Sequence, residues 1–88
     1  MPYIKKDRRT LFDPTLTVLD ATIERSNPTA GDLNYIITNI LDDYVRVKGQ
    51  SYSTYNELIG MLECCKSEYY RRRVAPYEDK KIVENGDV

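Results

Sequence analysis

The chain has 88 residues, a net charge of −1 and 41% hydrophobic residues, which allows one small domain with a modest core. A net charge near zero excludes a general attraction to nucleic acid or acidic membranes, so any anion site must be local. Cys64 and Cys65 are adjacent and there is no histidine. These counts argue against a disulfide framework and against a zinc site, and we expect no cofactor.

The first nine residues form a short basic segment whose cations are Lys5, Lys6, Arg8 and Arg9. This segment lacks the apolar core of a signal peptide, and no apolar run in the chain reaches the roughly 18 residues of a membrane span. We therefore expect a cytoplasmic protein without a membrane partner. The segment itself is interpreted as a basic arm or as a first helical turn or two.

A first longer helix is predicted from Asp13 to about Ser26. The Asp13 carboxylate is suited to cap a helix, and Pro14 fits the first helical position, where its missing N–H costs nothing. Apolar residues then recur at intervals of three and four. Asn27 and Pro28 end the pattern.

A second helix is predicted over residues 29–48. Thr29 and Asp32 have the spacing of a reciprocal capping pair, and Gly49 is a typical helix stop. Isoleucine and tyrosine also suit strands, but the apolar spacing of three and four favours a helix. Its apolar stripe consists of Leu33, Ile36, Ile37, Ile40, Leu41, Tyr44 and Val47.

The longest predicted helix covers residues 54–75. Thr54 and Glu57 have capping-box spacing, and we expect the helix to stop or kink at Ala75 because Pro76 disfavours helical geometry there. One wide face is apolar, as in a helix that packs on a core. That face consists of Tyr55, Leu58, Ile59, Met61, Leu62, Cys65 and Tyr69.

These elements predict an all-α single domain, residues 1–88, in which the two longer helices pack as a long helical hairpin with short flanking helices. Residues 76–88 are interpreted as a tail that docks back on the long helix through Tyr77 and Ile82. A chain of this size has little surplus burial, so we expect a homo-oligomer.

Four segments carry a resemblance to a known family: MPYI at the start, GDLNYIIT from Gly31, SYSTYNELIGMLEC from Ser51, and YRRRVAPYEDKKIVENGDV from Tyr70. With these segments the chain resembles a family of small uncharacterised proteins of bacteriophages and bacteria. The resemblance carries no functional residues. It implies a phage or prophage setting, where small non-enzymatic proteins often bind and block a component of the host.

The most suggestive cluster is the run Tyr69, Tyr70, Arg71, Arg72 and Arg73. Guanidinium forks match phosphate geometry, and tyrosine rings can stack on bases. A purely structural reading is also open, with a tyrosine in the core, an ion pair one turn back and arginines that complement the helix dipole.

In that structural reading Tyr69 is the core residue and Glu68 pairs with Arg72. Regular helical spacing points the three arginines in different directions, so they cannot all hold one ligand from one chain. A combined anion site then needs the basic residues 5–9, or a second subunit, to converge on one of them.

A stripe of small side chains, Asn56, Gly60, Cys64 and Ser67, runs along the same helix. Small residues at this spacing allow close approach of another backbone, and a mid-helix glycine costs ~1 kcal/mol relative to alanine. We interpret the stripe as an oligomer interface. Packing against the chain's own short helices is an equal alternative.

No catalytic set is evident, and we expect no enzyme activity and no metal site. The acidic residues Asp42, Asp43, Glu63 and Glu68 suit solvated helix faces. Neither cysteine has a histidine partner that would activate a thiolate.

The favoured hypothesis is a non-enzymatic, phage-type protein that binds or sequesters a small phosphate-bearing ligand, such as a host nucleotide signal, in an anti-defence role. The alternative is a protein–protein inhibitor or structural adaptor that acts on a host or phage protein. A nucleic-acid-binding module is a third reading, which the near-zero net charge disfavours.

Overall fold

The computed structural model describes residues 3–88 and divides them into two compact units, Tyr3–Gln50 and Ser51–Val88. Every regular element in the described residues is helical and none is a strand, which confirms the all-α class. The predicted hairpin pairs one helix from each unit and stays a prediction. Met1 and Pro2, which begin the predicted basic arm, lie outside the described residues.

The first unit contains α1 (Lys6–Arg9), α2 (Asp13–Ser26) and α3 (Ala30–Lys48). Asp13 is the first residue of α2, so the cap position belongs to Phe12, which has no side-chain acceptor, and the predicted Asp13 cap is wrong. Asn27 ends α2 in the left-handed conformation, with φ of 51°.

The start of α3 confirms the predicted capping pair. The Thr29 N–H donates to Asp32 Oδ2 at 2.9 Å, and the Asp32 N–H donates to Thr29 Oγ1 at 3.2 Å. Two backbone donors that no helical carbonyl could reach are thereby satisfied. Gly49 follows the last turn with φ of 91°, a conformation that residues with a Cβ rarely adopt.

The second unit is one helical run in three parts: α4 (Tyr52–Tyr69), a π-helical turn (Tyr70–Val74) and α5 (Ala75–Asn85). It starts earlier than predicted, because the Ser51 hydroxyl accepts the Thr54 N–H at 3.1 Å and so caps the helix. Thr54 is therefore inside the helix, and its predicted role as the cap is wrong. Ser51 offers the same acceptor chemistry three residues upstream.

Of the predicted stop or kink at Ala75, the stop does not occur, because a π-helical turn carries the helical run past Pro76. Pro76 has no N–H, and in a regular α-helix its ring would meet the carbonyl of Arg72. In this turn the Ala75 N–H donates to the Tyr70 carbonyl, five residues back, and the wider turn gives the proline ring room.

The predicted docking of residues 76–88 onto the long helix is also wrong, because α5 continues that helix to Asn85. Tyr77 and Ile82, the expected docking contacts, remain exposed. Gly86, with φ of 87°, ends the helix.

Little of the apolar surface is buried. Leu58, 7% exposed, and Thr54, 6% exposed, are the only buried residues in the described part of the chain. Tyr55, Ile59 and Met61, which belong to the predicted core face of α4, are exposed. No residue of Tyr3–Gln50 is fully buried. The described chain thus covers few of the side chains that normally stabilise a fold.

Replacing Pro76 by alanine should stabilise the protein, because the missing hydrogen bond and the ring contact both disappear. A proline inside a helix costs ~3 kcal/mol, and relief by the π-helical turn leaves an expected gain of about 1–2 kcal/mol in the free energy of unfolding. Urea denaturation measures this change.

Pro14→Ala is the matched control, since Pro14 lies in the first turn of α2, where no N–H is missed. We expect a change within about 0.5 kcal/mol there. If Pro76→Ala and Pro14→Ala change the free energy of unfolding by the same amount, the π-helical turn does not form in response to Pro76.

Candidate functional site

The arginine cluster is organised by one carboxylate. Arg71 Nη2 lies 2.8 Å from both Glu68 oxygens, and Arg72 Nε donates to Glu68 Oε2 at 3.1 Å. Glu68 lies in the last turn of α4, two residues before the π-helical turn begins, and it reaches residues three and four positions ahead. The predicted Glu68–Arg72 pair is confirmed, and Arg71 joins it.

The two guanidinium groups change the acidity of Glu68. The hydrogen bond from Arg71 is the largest cause that lowers the pKa of this carboxyl below its ordinary value of 4.5, and Arg72 adds to it, while partial burial opposes both. The carboxylate therefore contributes stability above pH 4.5, and this contribution is lost as the pH falls through the lower folded pKa.

Arg73 differs from its two neighbours because it makes no ion pair or hydrogen bond with the described residues. Regular spacing predicted three divergent arginines, yet Arg71 and Arg72 converge on Glu68 and Arg73 alone stands apart. The run of three arginines is therefore paired with the single negative charge of Glu68, which leaves an excess of two positive charges in this group. Tyr69, predicted to be a core residue in the structural reading, is exposed beside them.

The side chain of Tyr70 links the π-helical turn to α5 by a hydrogen bond. Its hydroxyl donates a hydrogen bond to Glu78 Oε1, eight residues ahead. This bond to the Glu78 carboxylate, with the nearby negative charge, raises the pKa of Tyr70 above its ordinary value of 10.0. Of the predicted aromatic pair, Tyr70 has a hydrogen-bond partner in the helix and Tyr69 is exposed.

The basic residues near the amino terminus belong to the first unit. Arg8 lies over the Phe12 ring, 5.8 Å from its centroid, and Arg9 Nε donates to the Ile4 carbonyl at 3.3 Å. Lys5 and Lys6 are exposed, and their ammonium groups have no ion pair among the described residues. Two of the four predicted cations thus have local structural contacts, and two are available to an anion.

An apolar groove in the first unit was not predicted. Its wider part, about 620 Å³, lies between α2 and α3, and a neighbouring hollow of about 500 Å³ extends it toward Tyr3. Phe12 and Leu16 line both parts. The other apolar residues of this surface, which we call the apolar groove, are Tyr3, Ile4, Leu19, Tyr35, Ile36 and Ile40.

The predicted small-residue stripe lies along α4, with Asn56, Gly60, Cys64 and Ser67 all exposed. A Cβ built on Gly60 would meet nothing within 4 Å outside the helix's own backbone. The described chain therefore does not use the space that the glycine leaves. The role of the stripe as an oligomer interface stays a prediction.

Groups of acidic and cysteine residues do not gather into a metal site anywhere in residues 3–88. Both cysteines are exposed thiols. In the same part of the chain no helix is long and apolar enough to cross a membrane.

The Tyr70–Glu78 bond makes a prediction about pH. Tyr70 keeps this bond fully below pH 10.0, and its contribution to stability is lost as the pH rises through the raised folded pKa. In Glu78→Gln the charge is removed, so Tyr70 should ionise at a lower pH than in the wild type. Carbon-13 NMR of labelled tyrosines measures the titration, and Tyr70→Phe assigns the Tyr70 signal. An identical titration midpoint for Tyr70 in the wild type and in Glu78→Gln would show that the bond does not form.

Comparison with known proteins gives one match. A family model covers residues 1–88, the full length given. No match was found among curated proteins or among solved structures. The chain belongs to DUF6899, a family described as a domain of unknown function.

Proposed function

We propose that this protein binds a small phosphate-bearing ligand, such as a nucleotide signal, and sequesters it without chemical change. The observation that carries the proposal is the excess of guanidinium charge at the π-helical turn. Arg71 and Arg72 both contact the Glu68 carboxylate, and Arg73 makes no ion pair or hydrogen bond with the described residues. Guanidinium groups bind phosphate oxygens through paired, charge-assisted hydrogen bonds.

The environment of these arginines suits a ligand that arrives from solvent. The side chains of Arg71 and Arg72 are 66% and 43% exposed although both contact Glu68. Both guanidinium groups are thus partly open to solvent, and Glu68 holds them in place. A phosphate can add to such a cluster without first breaking a buried ion pair.

Tyr69 supplies the second kind of contact that a nucleotide needs. Its ring is exposed immediately before the π-helical turn, and base stacking on an aromatic ring adds ~1–3 kcal/mol per base. In the homo-oligomer that we propose, Lys5 and Lys6 of another subunit add positive charge to the site. In the phage setting that the resemblance implies, this activity would remove a host signal.

Calorimetry against mono-, di- and cyclic nucleotides tests the proposal. We expect at least one of them to bind, and Arg73→Ala to weaken its binding roughly tenfold to hundredfold, because a hydrogen bond to a charged group contributes about 1.5–3 kcal/mol. Binding should also weaken as salt is raised.

Arg25→Ala is the matched control, since Arg25 lies in the last turn of α2 and hydrogen-bonds only locally, to Thr22. This variant should bind like the wild type. If no nucleotide in the panel releases or absorbs heat, or if Arg73→Ala binds as tightly as Arg25→Ala, the proposed site is wrong.

A protein–protein inhibitor or adaptor is the second candidate, and one observation favours it. Tyr35 on α3 is 73% exposed and lines the apolar groove, and an exposed apolar patch is a feature of protein interaction sites. Acidic residues Asp42 and Asp43 lie two turns further along the same helix. A host protein retained by the wild type and lost with Tyr35→Ala would support this reading over the ligand one.

A further inference from the structure

We propose that the thiol of Cys64 is a modification site, which takes up small disulfides of negative charge, such as glutathione disulfide, and holds them as a stable mixed disulfide. Cys64 and Cys65 are both free, exposed thiols in the interior of α4. Reactive cysteines are accessible and lie in positively charged surroundings. Cys64 meets both conditions.

The positive charge near Cys64 comes from the arginine cluster. Glu68 lies four residues after Cys64, a spacing that makes two residues neighbours on one side of a helix. At ~1.5 Å per residue, Glu68 is about 6 Å from Cys64 along the axis, and Arg71 and Arg72 reach back to its carboxylate. Residues 63–73 contain four cations and two carboxylates, a net charge of +2. An anion at Cys64 is thus within about 10 Å of this charge, the screening length at 0.1 M salt.

Cys64 also has open space beside it. In an α-helix the Cα–Cβ bond points toward the amino terminus, so the Cys64 side chain leans over the turn that contains Gly60. A Cβ built on Gly60 would meet nothing within 4 Å outside the helix's own backbone. Ser67, three residues after Cys64, is small and exposed as well. A bulky disulfide can therefore reach the Cys64 sulfur.

Cys65 provides a comparison because it has the same chemistry in different surroundings. Successive residues of a helix are turned by about 100°, so Cys65 faces another side of α4. Its neighbours at a spacing of four are Met61 and Tyr69, whose long side chains crowd the approach to a thiol. We therefore expect Cys64 to react before Cys65.

The reaction is a thiol–disulfide exchange. The Cys64 thiolate attacks one sulfur of the small disulfide, the sulfur–sulfur bond of the reagent breaks, and a new bond joins Cys64 to one half of the reagent. The other half leaves as a thiolate and takes up the proton that Cys64 has lost. Cys64 is thereby oxidised, and the released half is the reduced product.

The helix protects this mixed disulfide from the neighbouring thiol. Displacement by Cys65 would need a disulfide between adjacent residues, whose Cα atoms are ~3.8 Å apart. Protein disulfides usually join Cα atoms ~4.4–6.8 Å apart, so the bridge would require the backbone of α4 to distort. The adduct on Cys64 is therefore the end product, and it forms whether or not a nucleotide binds at the arginines.

The first test identifies the reactive thiol in the full chain. Cys65→Ser and Cys64→Ser each keep one thiol, and both are treated with glutathione disulfide without denaturant. Mass spectrometry should show that Cys65→Ser gains one glutathione at least about tenfold faster than Cys64→Ser. Equal rates would overturn the proposal, and so would a wild-type product that has lost two hydrogens and gained no glutathione.

The second test measures the attraction by the arginines in the Cys65→Ser chain. The reagents are dithiobis-nitrobenzoate, which carries two carboxylates, and the neutral disulfide dithiodipyridine. Adding Arg71→Gln with Arg72→Gln should slow the anionic reagent by about threefold at ~0.1 M salt and leave the neutral one unchanged. The neutral reagent also controls for folding, because a disrupted helix would change both rates.

Lys80→Gln with Lys81→Gln is the matched control, because it removes the same amount of charge from α5 in the same helical run. Lys80 lies sixteen residues after Cys64, about 24 Å along the axis and more than twice the screening length. The control should react like the parent chain. If both pairs of substitutions slow the anionic reagent equally, or if an interface along the small-residue stripe makes Cys64 slow with both reagents, the proposal is wrong.

Discussion

The missing N–H of Pro76 is the constraint on which the carboxy-terminal half of the chain depends. A helix that passes through a proline must lose a hydrogen bond, kink or widen, and here the π-helical turn widens it. The wider turn changes the directions of the side chains within it. Arg71 and Arg72 reach Glu68 together, and Tyr70 reaches Glu78 on the far side. The two Glu68 pairs keep the ordinary helical spacings of three and four residues, and the Tyr70–Glu78 bond is the contact that spans the widened turn.

Stability is distributed along the helices more than it is gathered in a core. Cap hydrogen bonds at Thr29 and Ser51, and ion pairs such as Glu68–Arg71, act within one or two turns. Exposed pairs of this kind contribute at most about 1 kcal/mol each, less than a few buried apolar side chains would. The apolar side chains that remain exposed on α2, α3 and α4 therefore contribute little to the stability of the described chain.

The parts of this fold that could be predicted from sequence are those set by near neighbours. The Thr29–Asp32 capping box, the end of α3 at Gly49 and the Glu68–Arg72 pair all follow from spacings of four residues or fewer. Where two local signals compete, sequence does not decide between them. Ser51 and Thr54 are both good caps, and only the structure shows that Ser51 has the role.

The sequence identified which residues could form the candidate anion site, but it did not predict how their side chains are arranged. Consecutive arginines indicate an anion site, but their sequence does not show that Arg71 and Arg72 meet on Glu68 while Arg73 makes no ion pair with the described residues. The apolar groove was missed for a different reason. Helical periodicity identifies an apolar face and cannot tell whether the chain itself covers it.

The π-helical turn also bears on how this stretch tolerates changes in length. A turn closed by a bond over five residues holds one residue more than a regular α-helical turn. In a Pro76→Ala background, deleting a single residue between Tyr70 and Val74 would therefore leave an ordinary turn, with α4 and α5 still in phase with one another. A deletion elsewhere in the same helix would rotate everything after it by about 100°. The widened turn is thus the place in the long helix where one residue can be deleted while α4 and α5 keep the same faces toward their surroundings.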